Sequence, residues 1–219
     1  KQFLTFDDPM VEESKDLLLS LGLPVIQAPS EAEGQIAFMN KKEDLWGCAS
    51  QDSDSLLFGA SRLIRNLTLS QKRNVNGKIV YTFLELIEHE DVLESLKINH
   101  DQLIALGIMV GTDFNPGGVS GIGPKKALKL VKDYKSYPDF DRMFGGLKVN
   151  FDWKEVFDIF KNLPVEKNYK LKWNNIDGHK VKELLVDKHE FNWERVKKLI
   201  DKYNEEVKSN GQKGLGDFL

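Results

Sequence analysis

The sequence predicts an α/β fold in which a partial parallel sheet is flanked by helices and leads into a helical region. Helix-like and strand-like segments alternate between about residues 11 and 60, as in parallel strands joined by crossover helices. From about residue 83 onward, apolar residues recur at helical spacing. With 219 residues, 41% of them hydrophobic, the chain can bury the core of one large or two small domains.

The first elements follow from their apolar spacing and their breakers. Residues 11–20 have helical spacing, and Gly22 ends that helix. The β-branched run LPVIQ (23–27) predicts a buried strand. Ser30 then opens a second helix, and LWGCAS (45–50) predicts the next strand. Together these segments predict a β-α-β unit.

The second half of the chain is predicted to be mainly helical. Two strand-like runs, RLIRNLTL and KIVYTF, bracket Asn76 and Gly77, a strong hairpin signal. Helical patterns follow in LELIEHEDVLESL, DQLIALGIMVG, PKKALKLVKDY, WKEVFDIFKNL, HKVKELLVD and WERVKKLIDKYNEEV. We therefore expect an α/β core at 1–98, a helical region at 99–203 and a flexible tail at 204–219.

Composition narrows the classes of protein. No apolar stretch approaches the roughly 20 residues that span a bilayer, so we expect no membrane partner. Cys48 is the single cysteine, which fits an intracellular, reducing compartment. Because the net charge is −3, nucleic-acid binding must be argued from local basic clusters.

Two acidic pairs are candidates for a metal centre. Glu31 and Glu33 open the second helix, and Asp52 and Asp54 follow the LWGCAS strand. Each pair also has a structural explanation, because Ser30 and Glu33 match a capping box and aspartate is common in turns. Their shared position at the carboxyl ends of adjacent predicted parallel strands favours a ligand site.

Asp113, in GTDFNPGG, is a fifth acidic candidate. With no histidine or cysteine beside these positions, the ligand set is all oxygen and fits Mg²⁺ or Mn²⁺ better than zinc. Such sites serve phosphoryl chemistry with two ions roughly 4 Å apart. We assign surface or capping roles to the scattered histidines, His89, His100, His179 and His189.

The segment GGVSGIGPKKALKLVKDY predicts a helix–hairpin–helix motif. Gly121 and Gly123 form a tight turn that exposes backbone N–H groups, and Pro124 begins the next helix. The exposed side of that helix carries Lys125, Lys126, Lys129 and Lys132. A phosphate there would meet free amides, the positive end of the helix dipole and lysine, so the segment favours sequence-independent DNA binding. The alternative is a solvated lysine face after an ordinary turn.

Several segments together resemble the structure-specific flap endonuclease family, most of all its archaeal members. They are QAPSEAEGQIA, SQDSDSLLFGA, RLIRNLTL, LGIMVGTDFNPGGVSGIGPKKALKLV and HKVKELLVDKHEFNWERVKKLI. The resemblance implies the C-terminal half of a PIN-like 5′ nuclease core, followed by a helix–hairpin–helix (H2TH) region. It also implies metal ligands at Glu31, Glu33, Asp52, Asp54 and Asp113.

The same resemblance implies a 5′ flap endonuclease of DNA replication and repair that uses two Mg²⁺ ions, or Mn²⁺, per site. It implies duplex contacts at Gly121, Gly123, Lys125, Lys126 and Lys129. It further implies a K⁺ ion held by backbone carbonyls near Gly118, Val119 and Ile122. In that family an N-terminal segment supplies further aspartates and a basic helical arch. We expect that segment to be missing here, and hence no catalytic residue beyond the metal ligands.

Two other functions stay open at this point. The chain could be a non-catalytic DNA- and clamp-binding fragment of such a nuclease, or a related 5′–3′ exonuclease. The tail QKGLGDFL resembles the PCNA-interacting peptide of sliding-clamp partners, with the spacing Q-x-x-L-x-x-F-L at Gln212, Leu215, Phe218 and Leu219. Its alternative is an amphipathic chain end without a partner. We expect DNA and a sliding clamp as partners, in the cytoplasm of an archaeal-type cell.

Overall fold

The computed structural model describes residues 8–67, 72–75, 78–147 and 149–210. The chain divides into two compact units: unit 1 is Lys1–Gln27 with Lys167–Leu219, and unit 2 is Ala28–Glu166. The domain boundaries predicted from the sequence are drawn at other positions, and they remain a prediction.

The described helices and strands are, in chain order, α1 (Asp8–Ser20), α2 (Ala32–Lys41), β1 (Cys48–Ala49), α3 (Asp54–Leu57), β2 (Arg62–Arg65), β3 (Lys72–Val75), β4 (Lys78–Tyr81), β5 (Glu85–Glu88), α4 (His89–Leu96), α5 (His100–Val110), α6 (Pro124–Val131), α7 (Tyr137–Leu147), α8 (Trp153–Asn162), α9 (Gly178–Lys182) and α10 (Trp193–Asn210). A π-helical segment, Glu183–Lys188, continues α9. No helix in these ranges is long and apolar enough to cross a membrane.

Unit 2 contains a small mixed sheet in the order β1-β2-β5. The pair β1 and β2 is parallel, with Cys48 opposite Leu63, whereas β5 runs antiparallel to β2, with Ile87 opposite Leu63. A separate two-stranded ribbon pairs β3 with β4. The predicted parallel pairing is therefore present, but between β1 and β2.

The predicted strand at residues 23–27 is wrong. The backbone there closes the end of α1 instead: Gly22 has φ +80°, its N–H donates to the Leu19 carbonyl, and the Leu23 N–H donates to the Leu18 carbonyl at 3.0 Å. This is a Schellman cap, which uses the polar groups that would begin a strand.

Three further predictions need correction. The LELIEHE run forms β5 before it becomes α4, because its alternating residues pair with β2. The first arm of the hairpin is β3 rather than RLIRNLTL, and its turn at Asn76 and Gly77 lies outside the described residues. Helix α7 was not predicted, since Pro138 and two consecutive glycines interrupt its pattern.

The hydrophobic core of unit 2 lies among α5, α6, α7 and α8. Phe140, Phe144, Ile104 and Ile108 are at most 1% exposed. Gln102 is buried at the start of α5, where its Nε2 donates to the Val131 carbonyl at 2.6 Å and ties α5 to the end of α6. These helices form a rigid base below the acidic segments.

Both ends of unit 2 meet at one buried amide. Gln35 on α2 is 3% exposed, its Nε2 donates to the Glu166 carbonyl at 3.0 Å, and its Oε1 accepts from the Glu166 N–H at 2.7 Å. Because both polar groups of the side chain are used, this amide clasp fixes the last residue of unit 2 against its first helix.

Unit 1 joins α1 to the C-terminal helices. The Asn174 N–H donates to the Gly22 carbonyl at 2.9 Å, and the Asp177 N–H donates to the Ser20 carbonyl at 2.8 Å. Glu13 on α1 also pairs with His189 at 2.8 Å. Val181 is 1% exposed at the centre of the unit.

Candidate metal centre and nucleic-acid interface

Five carboxylate side chains line one cavity of about 90 Å³ in unit 2, beside the rings of Phe58 and Phe114. They come from the start of α2, the turn before α3 and the loop after α5. The structure thus brings together all the acidic residues selected from the sequence, namely Glu31, Glu33, Asp52, Asp54 and Asp113.

The start of α2 positions the first pair. Glu31 is the N-cap residue, with φ −73° and ψ 133°, and Glu33 lies in the first turn. The predicted capping box of Ser30 and Glu33 is wrong, because α2 begins one residue later and no side chain caps it. The Glu33 carboxylate instead accepts a hydrogen bond from the Ser50 hydroxyl at 3.3 Å.

Ser50 links the two acidic pairs, and the sequence patterns did not single it out. It follows β1, and its N–H donates to the Ile64 carbonyl at 3.1 Å, which continues the parallel ladder. Its hydroxyl oxygen also accepts from the Asp52 N–H at 3.1 Å. Asp52 in turn accepts from the Ser53 N–H at 3.0 Å, and Asp54 is the first residue of α3.

Asp113 sits in a loop held by a buried asparagine. Asn115 is 5% exposed, its Nδ2 donates to the Ile108 carbonyl at 2.7 Å, and its Oδ1 accepts from the Thr112 hydroxyl at 2.7 Å. Gly111 ends α5 with φ +112°, and a Cβ there would lie 2.8 Å from the Gly118 backbone nitrogen. Asn115 is a second positioning residue that the sequence patterns did not reveal.

The raised pKa of Asp54 agrees with this clustering of carboxylates. Burial and, in decreasing order, the charges of Asp52, Asp113, Glu33 and Glu31 together raise the pKa of Asp54 to about 6. Like-charged carboxylates in one site resist joint ionisation unless cations neutralise them. Within the described ranges, no three histidine, cysteine, aspartate or glutamate side chains are placed closely enough to hold one ion. The carboxylates therefore line the walls without converging, as repulsion between them favours.

The turn between α5 and α6 is rich in glycines in the left-handed region. Gly117, Gly118 and Gly121 have φ values of +83°, +57° and +74°. Gly123 is the N-cap of α6 with no side-chain cap, and Pro124 is its first residue. Ala127 and Val131 are fully buried on the inner side of α6.

The outer side of α6 is basic, as predicted. Its exposed lysines are Lys125, Lys126, Lys129 and Lys132. The positions proposed for K⁺ lie in the same turn: Gly118 packs against the Met109 carbonyl, the Val119 N–H donates to that carbonyl at 2.8 Å, and the Ile122 N–H donates to the Val119 carbonyl at 3.0 Å. Gln212, Leu215, Phe218 and Leu219 lie outside the described residues.

Two histidines differ from the surface roles predicted for them. His89 Nε2 and His100 Nδ1 lie 3.0 Å apart in a half-buried pair at the starts of α4 and α5. Burial, together with the smaller effects of the charges of His89 and Lys41, lowers the pKa of His100 to about 4. The pairing joins residues eleven positions apart, which no helical or strand period predicts.

Comparison with known proteins adds an independent finding. The model of the XPG I-region family matches residues 22–113, a range that contains all five carboxylates. Flap endonuclease 1 of Staphylothermus marinus is 47% identical over 214 residues, which are 95% of this chain and 61% of the relative. Flap endonuclease 1 of Pyrococcus horikoshii is 45% identical over 97% of this chain and 62% of the relative.

Solved structures agree with the sequence relatives. Flap endonuclease-1 from Methanococcus jannaschii superposes with a TM-score of 0.79 at 41% identity, covering 90% of this chain and 57% of that one. The predicted α/β nuclease core with a helical region is thereby confirmed as a fold class. The chain spans about three fifths of the length of the curated relatives it matches.

Proposed function

Because this chain is a homologue of the flap endonucleases over 95% of its length, we propose that it carries the acidic centre of a structure-specific 5′ flap endonuclease. Such an enzyme hydrolyses a phosphodiester bond where single-stranded and double-stranded DNA meet, during replication and repair. The observation that carries the proposal is that five carboxylates from three separate segments line one cavity.

The donor chemistry fits hard divalent cations. All five cavity acids offer oxygen ligands, and the raised pKa of Asp54 reports a negative field that bound cations would neutralise. We propose that these side chains hold Mg²⁺, or Mn²⁺, with two ions per site. When bound, such ions supply an activated water and stabilise the charge on the leaving oxygen.

The residues of this chain have separate roles in that arrangement. Ser50 orients Glu33 and the turn of Asp52, and Asn115 fixes the loop of Asp113. Phe114 and Phe58 meet edge to face at 6.4 Å, and both line the cavity, where they limit access of bulk water. These contacts hold the acidic side chains in place before any ligand arrives.

DNA is the proposed macromolecular partner. The turn that contains Gly121 and Gly123, with Lys125, Lys126 and Lys129 beyond it, presents amides and charge to a duplex backbone. Human GEN1, a relative in fold whose TM-score is 0.70 at 25% identity over 88% of this chain and 51% of that one, was solved with Holliday junction DNA. We also propose that the carbonyls of Gly118, Val119 and Ile122 hold K⁺ near the DNA backbone.

The C-terminal segment and the cellular compartment are the subjects of two further proposals. We propose that Gln212, Leu215, Phe218 and Leu219 bind a PCNA-type sliding clamp, with apolar and aromatic anchors entering a pocket of the clamp. An enzyme that acts on replicating DNA works where the DNA is, so we place it in the cytoplasm of an archaeal-type cell.

Cleavage of a labelled 5′-flap DNA tests the activity. The chain is incubated with Mg²⁺ beside the Asp52→Ala/Asp54→Ala variant, and the Asp91→Ala/Glu94→Ala variant on α4 serves as a control with equal charge change. Cleavage by the chain and by the control, lost with retained DNA binding in the cavity variant, would show that these residues are sufficient for catalysis. Release of an intact flap oligonucleotide identifies an endonuclease, whereas mononucleotides identify a 5′–3′ exonuclease.

A second candidate function is a DNA- and clamp-binding fragment without catalysis. The observation that favours it is length, because the chain spans 61% of the Staphylothermus relative. Absence of cleavage with either Mg²⁺ or Mn²⁺, together with salt-sensitive duplex binding, would contradict catalysis by these residues alone and support the fragment.

A further inference from the structure

Unit 1 has an apolar groove that no part of the proposed function uses. The groove has a volume of about 540 Å³, and α10, the π-helical segment and the end of α1 form its walls. Large apolar side chains at its mouth are exposed: Phe191 by 55%, Leu199 by 62% and Tyr203 by 44%. Adjacent exposed apolar side chains of this size mark a surface that binds another apolar group.

The chain itself offers an occupant. Residues 211–219 directly follow α10, and they carry Leu215, Phe218 and Leu219. Tyr203 lies seven residues, or about 10 Å of helix, before Asn210. Nine extended residues reach about 30 Å, which is enough to return along α10 to Leu199.

The composition of this segment suits such a reversal. Gly211, Gly214 and Gly216 allow the positive φ values that a sharp turn needs. Asp217 is the one acidic side chain of the segment, and Arg195 lines the groove without forming an ion pair among the described residues. A docked segment would bring these opposite charges together beside its apolar anchors.

Residues 1–7 are a weaker candidate for the same groove. They enter α1 at Asp8, twelve residues and about 18 Å from the Ser20 end, which leads to the groove residues Leu21 and Leu23. The C-terminal segment starts closer, because α10 itself forms a wall.

We propose that residues 211–219 dock in this groove of unit 1 through Leu215 and Phe218. Since these residues are also the proposed clamp anchors, docking competes with clamp binding, and this consequence rests on the clamp proposal above. The free protein then keeps its apolar anchors covered, and the clamp must displace them.

Disulfide trapping in the full chain tests the proposal. The Leu199→Cys/Leu219→Cys variant is oxidised at low protein concentration, and Asp201→Cys/Leu219→Cys is the control, because Asp201 lies on the same helix, is exposed and does not line the groove. The native Cys48 can stay, since it is 1% exposed and burial raises the pKa of its thiol to about 12. We expect the groove pair to close within one chain at least 10-fold faster than the control pair.

The outcomes separate the possible occupants. Equal rates for the two pairs would overturn the proposal. A crosslink between positions 199 and 219 found only in disulfide-linked dimers would overturn it as well, because it would identify a second copy as the partner. A second test measures how fast thiol reagents modify the Leu199→Cys variant. If this cysteine resists modification and still resists it after Phe218→Ala is added, residues 1–7 cover the groove instead and the proposal is overturned.

Gln212→Ala separates this proposal from the clamp proposal. It removes a polar clamp contact and keeps every apolar anchor, so we expect weaker clamp binding with unchanged trapping of the groove pair. Normal clamp binding by the wild type with no preferential trapping would refute groove docking and leave the clamp proposal intact.

Discussion

Among the five acidic side chains of the cavity, Asp54 is the one whose pKa is clearly raised by burial and by the charges of the other four. Replacement by asparagine removes one negative charge and keeps the shape, so we expect Asp54→Asn to be more stable than the wild type in EDTA, with Tm higher by about 2 to 4 °C for a gain of about 1 kcal/mol. Addition of Mg²⁺ should stabilise the wild type and have little effect on the variant. Thermal melts with and without Mg²⁺ measure both effects.

The control for this prediction is Asp91→Asn, an exposed aspartate in the first turn of α4. It should gain nothing in EDTA and should respond to Mg²⁺ as the wild type does. An equal Mg²⁺ response of Asp54→Asn and wild type would contradict the assignment of Asp54 as a ligand.

Ser55 is buried next to that site with a hydroxyl that finds no partner among the described residues. A buried, unpaired hydroxyl costs free energy that alanine does not, so Ser55→Ala should raise the free energy of unfolding by about 1 kcal/mol. Ser53→Ala, at an exposed neighbouring position, should change it by less than about 0.5 kcal/mol. Urea unfolding measures both variants, and destabilisation by Ser55→Ala would reveal a bond that this hydroxyl makes.

The half-buried pair of His89 and His100 makes stability depend on pH. The pKa of His100 is lowered to about 4, mainly by burial, so the folded state favours the neutral ring. Below the unfolded value of about 6.5 the unfolded state binds more protons, and stability should fall as pH drops from about 6.5 towards 4. His100→Gln should flatten this fall and exposed His179→Gln should not, as judged from urea midpoints between pH 7.5 and 4.5.

At the scale of single residues, the sequence predicted which acidic side chains lie around one cavity but not the residues that position them. The five acids follow helix and strand boundaries, which local patterns mark. Ser50 and Asn115 act through bonds to Glu33 and Ile108, and the first of these joins residues 17 positions apart. No local period encodes such a contact. The predicted capping box of Ser30 and Glu33 is not formed, and the Glu33 carboxylate accepts its hydrogen bond from Ser50 instead.

Helix α6 is the element for which DNA binding makes the clearest prediction. Each lysine that contacts a phosphate releases about one counterion, so Lys125→Ala/Lys126→Ala should lower the slope of log K against log salt by about 2. The exposed pair Lys197→Ala/Lys198→Ala on α10 is the matched control and should leave the slope unchanged. Fluorescence anisotropy with a duplex at several salt concentrations measures it, and equal slopes for both variants would remove α6 from the interface.

Long helices were predictable, and so were the positions of β1, β2 and β4, which lie inside the runs LWGCAS, RLIRNLTL and KIVYTF, whereas the partners of these short strands were not. The buried faces of α5, α6 and α8 repeat at helical spacing within one segment, so each could be recognised alone. Strand β1 has only two residues and exists through its pairing with β2, a partner set by tertiary structure. The apolar run 23–27 resembles a strand in composition, yet the cap of α1 takes its first amides.

At the scale of the whole molecule, unit 2 has its own core. Every buried residue of its hydrophobic cluster lies between Ala37 and Phe160, inside Ala28–Glu166. We therefore expect a fragment of residues 28–166 to fold alone, with a cooperative thermal transition, and to bind Mn²⁺ with the affinity of the full chain. Circular dichroism and calorimetric titration measure these properties. A fragment without cooperative unfolding would show that the cluster needs unit 1.

The two segments that form unit 1 meet only after all of unit 2 between them has been made. Helix α1 is synthesised before unit 2, and the residues that bond to its end, Asn174 and Asp177, follow roughly 8 to 31 seconds later at ordinary rates of translation. Closing so long a loop in an unfolded chain costs about 4 kcal/mol of entropy.

The amide clasp of Gln35 and Glu166 changes that sequence of events. Once it forms, the two ends of unit 2 are held together, and the long loop becomes a short connection between segments that already lie near each other. Unit 1 should therefore assemble late during biosynthesis, and nascent chains shorter than about residue 177 should leave α1 open to chaperones.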